Sequence, residues 1–269
     1  MSEPKVITSL TNPLVKDIRA LSMKKARDER GAFLGEGLKL VTDALDEAWP
    51  VEAMVHARDV GGQAPVARAA ARVRTGGGQV LEVTPAVLAK ITRRDNPQMV
   101  VGVFGQRLAS FDAVKAEPGA VWVALEEIRD PGNLGTIIRT VDAVGARGVI
   151  LVGDTCDPFS VEAVRATMGS LFHVPLVRAA REPFIAWAKS FPGRLVGTHL
   201  KGTTDYRSIA ASAPTVLVMG GEQRGLTDAM AAACHDLVKI PMRGKADSLN
   251  LAVSTGIMLY RLCDADLRL

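Results

Sequence analysis

Two turns punctuated by glycine and proline hold the residues best suited to chemistry in this chain. Gly220-Gly221-Glu222-Gln223-Arg224-Gly225-Leu226 follows an apolar run, Val216 to Met219. Ser248-Leu249-Asn250 follows a second short run, Leu237 to Ile240, which Pro241 stops before a polar stretch, Met242 to Asp247. From Asn250 onward Ala252, Val253, Gly256, Ile257 and Tyr260 recur, with Leu249, at helical spacing, so a core face accounts for them. It does not account for Asn250, whose amide offers two donors and an acceptor at a helix start, where the helix dipole and open N–H groups favour polar ligand groups. Two loops after two strands could therefore converge on one ligand. GGEQRG is not a dinucleotide fingerprint, and alone it reads equally well as a structural turn.

A third polar stretch, Glu126 to Gly135, leads into a helix expected over Thr136 to Val144 and ended by Gly145. Ile137, Ile138, Val141 and Val144 are apolar, and Arg139 stands among them. Either it makes an ion pair at the helix edge or its planar fork meets a ligand, and such a fork suits phosphate oxygens.

Length and composition set the frame for these loops. The 269 residues suffice for one or two domains with ample core, and 48 % are hydrophobic. No apolar run approaches the roughly 20 residues that span a bilayer, and the first residues lack an apolar signal core. Cys156, Cys234 and Cys263 are far apart and odd in number, which argues against a disulfide framework or a zinc site and suits a reducing cytoplasm. The four histidines, His56, His173, His199 and His235, show no metal-ligand spacing, so no metal is expected. Residues 1–110 carry 16 Lys and Arg against 12 Asp and Glu, whereas the rest carries 17 of each. The whole excess of +4 thus lies in the first part, and Lys16, Arg19, Lys24, Lys25, Arg27 and Arg30 crowd one segment of it. A polyanion such as RNA fits that segment, although a solvated helix face would be charged as well.

The elements that must position these residues alternate. In the first part Ser9 to Pro13 begins a helical region marked by Leu14, Ile18 and Leu21. Arg30 to Gly37 breaks it, and a helix follows over Leu38 to Ala48. Strands are expected at Val51 to His56, Val80 to Val83 and Met99 to Phe104, with helices at Pro65 to Arg74 and Pro85 to Thr92. This is a small α/β domain of three layers. The aperiodic stretch Gln106 to Ala120 sets a boundary, giving domains 1–110 and 111–269. The second part repeats the alternation, with strands at Val121 to Leu125, Val149 to Val152, Val174 to Val177 and Leu195 to Thr198 and helices at Ser160 to Leu171 and Pro183 to Ser190. A mostly parallel sheet with helices on both faces is expected, with ligands beyond the carboxyl ends of its strands.

Three segments resemble the motifs of one family. Asn133 to Arg139 is similar to motif 1, N-x-G-x-x-x-R, of the SpoU (TrmH) RNA ribose 2′-O-methyltransferases. Met219 to Leu226 resembles motif 2, and Ile240-Pro241-Met242 with Ser248 to Ser254 resembles motif 3. Gly169 to Leu176 looks like the stretch between motifs 1 and 2, and residues 1–110 resemble the ribosomal-protein-like substrate-binding domain of many members. Motif 2 commonly reads G-N/S-E-G-x-G, and Gln223 stands here in place of its second glycine; a loop that needs positive φ at that position would shift.

The resemblance implies a trefoil-knotted α/β fold, which general topology disfavours, S-adenosylmethionine as cofactor, an RNA substrate and a homodimer with motif 1 and the last helix near its interface. It implies that backbone at Thr198, Leu200, Gly220, Ile240 and Leu249 holds the cofactor and that Arg139, Asn133, Glu222, Ser248 and Asn250 form the catalytic set. The family's usual reading makes Arg139 a general base. A guanidinium is a poor base at neutral pH, so a bidentate grip on an RNA phosphate that favours an ionised 2′-oxygen is the alternative. Asn133 orders its loop or the ribose, or simply caps a helix. Glu222 binds a hydroxyl or pairs with an arginine such as Arg139. Lys16, Arg19, Lys24, Lys25 and Arg30 are the expected RNA-phosphate contacts. Ribosomal RNA is the favoured substrate, with transfer RNA or a non-catalytic RNA-binding role on the same scaffold as alternatives.

Overall fold

The computed structural model describes residues 4–209, 213–264 and 267. The chain forms two compact units.

The first unit comprises Met1–Gln106 and Asp157–Phe172. Its elements are β1 (Lys5–Ile7), α1 (Pro13–Ala20), α2 (Lys24–Arg30), β2 (Ala32–Glu36), α3 (Leu38–Asp46), β3 (Val51–Ala57), α4 (Ala64–Thr75), β4 (Gln79–Val83), α5 (Pro85–Thr92) and β5 (Val100–Gly105). The strands form a sheet in the order β1-β4-β3-β5-β2, parallel through β3 and antiparallel beyond it. Local chemistry places the helix starts. Asn12 accepts from the Leu14 N–H at 3.0 Å with Pro13 at the first helical position, and Thr84 accepts from Val87 N–H ahead of Pro85.

Two strands of this sheet lie where none was expected. β2 occupies Arg30 to Gly37, read from sequence as a helix break. It is a five-residue strand closed by Gly31 and Gly37, both at positive φ, and it pairs along its whole length with β5. β1 has only three residues.

The second unit comprises Arg107–Cys156 and His173–Leu269. In chain order it contains β6 (Val121–Glu126), α6 (Pro131–Ala143) and β7 (Gly148–Val152). After α7 (Val161–Thr167), which belongs to the first unit, come β8 (Leu176–Ala179), α8 (Arg181–Ala188), β9 (Arg194–Thr198), β10 (Thr204–Asp205), β11 (Thr215–Met219), α9 (Asp228–Ala233), β12 (Asp236–Lys239) and α10 (Leu251–Leu262). Its sheet runs β10-β12-β9-β11-β6-β7-β8, and every pairing is parallel. Alternate residues divide between the faces. Trp122, Ala124, Ile150, Val152, Val216 and Val218 pack with Phe184 and Ala188 of α8 and Met230 of α9. Helices α6 and α10 pack on each other and on β7 and β11. β6, β7 and β11 are buried along their whole length and read as continuous apolar runs, as expected from sequence, whereas β8 begins two residues later than the expected Val174 and the two-residue β10 was not expected.

The chain leaves the second unit after Cys156 and returns at His173. The intervening segment is anchored by aromatic packing of Phe159 and Phe172 against Phe33, with Phe172 also against Phe104 and Trp49. Trp49 Nε1 donates to the Phe172 carbonyl at 3.1 Å. Arg27, which the sequence placed on a basic face, points inward instead. It is 3 % exposed, its Nη2 lies 2.6 Å from Asp157 Oδ2, and Nη1 donates to the Leu21 carbonyl. The nearly buried Glu36 carboxylate takes Arg94 and Arg165. The expected helix Ser160 to Leu171 is therefore shorter than anticipated, ending at Thr167 with Met168 in the left-handed region.

Candidate active site

The site is built where strands β12, β9, β11 and β6 lie side by side, so that the loops beyond their carboxyl ends are neighbours. From β6 the chain enters α6 earlier than expected, at Pro131 rather than Thr136. Asp130 is the cap: its Oδ1 accepts from the Asn133 N–H at 2.6 Å, and proline follows at the first helical position. Asn133 is thus inside the first turn and does not cap the helix. The Asp-Pro pair was the available signal for this start.

Glu222, in the turn after β11, reaches across to that helix start. Its Oε1 accepts from the Asp130 N–H and from Asn133 Nδ2, each at 3.2 Å, and its Oε2 accepts from the Arg129 N–H at 3.1 Å. Partial burial pushes the Glu222 carboxyl up, but hydrogen bonds from its own backbone, Asn133, Arg129 and Asp130 together outweigh it and hold the group below its ordinary value.

Asn250 completes the connection. Its Oδ1 accepts from Ala252 and Val253 N–H, at 2.8 and 3.2 Å, and caps α10, while its Nδ2 donates to Asn133 Oδ1 at 3.0 Å. The amide orientations follow by necessity. An oxygen is required toward the α10 N–H groups, so Asn250 presents NH₂ to Asn133, which in turn presents its own NH₂ to the carboxylate. The result is an aligned chain, Asn250 to Asn133 to Glu222, that joins all three polar loops.

Two glycines make the turn after β11 possible. A Cβ on Gly220 would sit 2.0 Å from the Gly225 carbonyl carbon, and Gly225 itself has φ +66°. Gln223 is not among the residues at positive φ, so the substitution of its glycine requires no shift there.

Thr198 ends β9, half-buried, and its hydroxyl donates to Met219 Sδ at 3.3 Å. Ile240 follows β12, Gly220 is buried after β11, and Leu200 (62 % exposed) and Leu249 (38 %) stand open on their loops. Backbone N–H and C=O groups from three adjacent strand ends, with uncovered leucines on the loops beyond, suit a ligand with a flat aromatic ring and polar edges, such as S-adenosylmethionine. Ser248 is exposed just before this helix start. Arg139 is exposed on α6 and, among the described residues, is outside the Glu222 network, so the alternative in which Glu222 pairs with Arg139 is not formed. In the first unit Lys24 pairs with Asp28, Lys25 with Glu29 and Arg30 with Glu52, while Lys16 and Arg19 form no ion pair among the described residues.

Sequence reasoning passed over Glu126, placed in a polar loop but in fact the buried last residue of β6. It also passed over Arg129, which pairs with Asp154 at 2.7 Å. Cys234 offers no nucleophile: burial, aided by the charges of Glu126 and Asp236, pushes its thiol up to about 12.

Residues 120–260 match the profile of the SpoU rRNA Methylase family. The chain belongs to this family. Residues 12–102 match the profile of the MRM3-like substrate binding domain. Among solved structures, the chain is similar to the AdoMet-bound rRNA methyltransferase from Sinorhizobium meliloti, with 52 % identity, full coverage of both chains and a TM-score of 0.92. Among curated relatives it is 31 % identical to the 23S rRNA (guanosine(2553)-2′-O)-methyltransferase RlmP of Bacillus subtilis, covering 96 % of this chain and 99 % of that one. It is also 31 % identical to the 23S rRNA (uridine(2479)-2′-O)-methyltransferase of Streptomyces viridochromogenes, covering 89 % and 85 %. The three loops joined by Asn250, Asn133 and Glu222 all lie within the matched residues 120–260.

Proposed function

We propose that this SpoU methylase transfers a methyl group from S-adenosylmethionine to a ribose 2′-hydroxyl of ribosomal RNA. The observation that carries the reading is the polar chain Asn250–Asn133–Glu222, which ties the loops after β12, β6 and β11 together within the family-matched region. When bound, S-adenosylmethionine supplies a methyl on a sulfonium, an electrophile that carries its own driving force. The chain's residues have to orient the acceptor and manage its proton.

In this reading, backbone at Thr198, Leu200, Gly220, Ile240 and Leu249 holds the cofactor. Glu222 is committed to three N–H donors and stays ionised, so its role is to order the motif 1 loop. The Asn250 amide has a further N–H, and Ser248 a hydroxyl, to offer the acceptor nucleotide. Arg139, exposed and outside this network, grips an RNA phosphate bidentately and favours the ionised 2′-oxygen. Lys16 and Arg19 remain the best candidates in the first unit for RNA-phosphate contacts, since the other expected cations already have carboxylate partners.

Two features support finer parts of the reading. Val253 and Tyr260 leave an apolar stripe open along α10, which a second copy of the chain would cover in a homodimer. The strand order, with β11 set between β9 and β6 and β12 outside β9, is compatible with the threaded C-terminal segment that the family resemblance implies.

Mapping 2′-O-methyl groups in cellular RNA with and without the gene tests the function. Loss of one site from ribosomal RNA is expected. Loss confined to transfer RNA, or no loss, would overturn the choice of substrate.

A further inference from the structure

Besides Glu222, a second carboxylate holds the turn after β11, and the reaction as described makes no use of it. Glu126 ends β6, the strand beside β11, and is 1 % exposed. Its Oε1 accepts from Arg181 Nε at 2.7 Å and from the Thr227 hydroxyl at 2.8 Å, and its Oε2 accepts from the Thr227 N–H at 2.9 Å. Thr227 caps α9 and directly follows the Gly220–Leu226 turn. The other arm of Arg181 binds Glu127, whose φ is +52° and whose carbonyl oxygen lies 2.9 Å from where a Cβ on Gly221 would be. The turn is therefore pinned at both ends to residues of the β6–α6 connection: Glu222 at the near end and Thr227 on Glu126 at the far end. Between them Gly225 N–H donates to the Gly221 carbonyl at 2.9 Å.

A buried carboxylate is costly to desolvate, and for stability alone a well-packed apolar side chain serves as well or better. What the charge adds is three acceptor sites at one point, including one for a backbone N–H that belongs to the turn. We propose that Glu126 is a positioning residue for cofactor binding: through Thr227, with Arg181 holding the carboxylate in place, it sets the far end of the turn that cradles S-adenosylmethionine. The proposal rests on the reading of that turn as part of the cofactor site. Glutamine cannot replace Glu126. Whichever way its amide faces, an NH₂ meets either the Thr227 N–H or the Arg181 Nε–H.

The test uses the full chain, with S-adenosylhomocysteine binding followed by calorimetry and methyl transfer followed on ribosomal RNA. Glu126→Gln is expected to weaken binding about tenfold, as one buried donor loses its acceptor, and to raise KM for the cofactor while KM for RNA holds. Thr227→Ser, which keeps both donors, should match wild type. Thr227→Val should weaken binding, and its loss should not add to that of Glu126→Gln. Unchanged affinity in Glu126→Gln, alongside lost affinity in Gly220→Ala, would overturn the role of Glu126 while leaving the cofactor site intact. A fall in melting temperature in Glu126→Gln with both KM values moving together would reduce the residue to a purely structural one and also overturn it. Unchanged affinity in Gly220→Ala would remove the cofactor-site reading, and the proposal with it.

Discussion

Two arginines, Arg27 in the first unit and Arg139 in the second, have opposite surroundings. In the first, Arg27 is buried against Asp157 and the Leu21 carbonyl, and Arg94 and Arg165 close on the nearly buried Glu36. In the second, Arg139 projects from α6 into solvent, one helix turn and more beyond the Asn133 that its own motif brings to the rim. The sequence presented Arg27 as part of a charged, RNA-facing segment and Arg139 as an oddity on an apolar helix. The difference teaches that an arginine's fork is taken up by packing when carboxylate and carbonyl acceptors saturate it, and stays open when they do not.

The contrast is sharpest when each arginine is removed. Arg27→Ala leaves Asp157 buried without its partner, and should destabilise the protein by about 3–5 kcal/mol in denaturant unfolding. Cofactor affinity measured below the transition should be unchanged. Arg139→Ala should do the reverse, lowering turnover by about 10²–10³-fold, the range for loss of one charged transition-state contact. Its melting temperature and cofactor affinity should match wild type, and equal turnover would remove Arg139 from the mechanism. Asn250→Ala deletes both the α10 cap and the link to Asn133, and should cost about 1 kcal/mol of stability together with a loss of turnover. Asn250→Asp keeps the cap oxygen but turns an oxygen toward Asn133, so it should restore most of the stability and little of the turnover.

The smallest expected effect is one of pH. Glu222 is held below its ordinary value in the folded protein. Its contribution to stability is therefore present above the unfolded value of about 4.3 and is lost as pH falls through the depressed folded value. The stability advantage of wild type over Glu222→Gln should be flat near neutrality and shrink in acid. An advantage that persists below both values would show that the contribution does not come from ionisation.

The second unit was the more legible of the two. Its strands are buried on both faces, and runs such as Val216 to Met219 announce themselves without any alternation. The loops that follow them carried recognisable motif residues. The Asn133–Asn250 link, by contrast, spans 117 positions and could be inferred only from the family resemblance. Glu126 was illegible because a carboxylate after an apolar run looks like the start of a loop. Its burial depends on Arg181 and Thr227, each far along the chain. In the first unit, β2 was hidden because five residues between two glycines resemble a break, and only pairing with β5 makes them a strand. In the basic segment, charge type is visible in sequence, but the acids that lie beside Lys24, Lys25 and Arg30 are identified only by geometry.

The detour of Asp157–Phe172 into the first unit also has a consequence for synthesis. Phe33, Phe104 and Trp49 are made early and pack on one another, yet two further rings of their cluster, Phe159 and Phe172, arrive later. At roughly 5–20 residues per second, a ribosome that has just finished β5 needs several more seconds to deliver them. Until then the chain lacks Phe159 and Phe172 for that cluster and lacks Asp157, the carboxylate that Arg27 meets in the finished protein. Deleting residues 1–110 would leave the same orphaned rings on the other fragment, so the first unit is better probed by point changes than by excision.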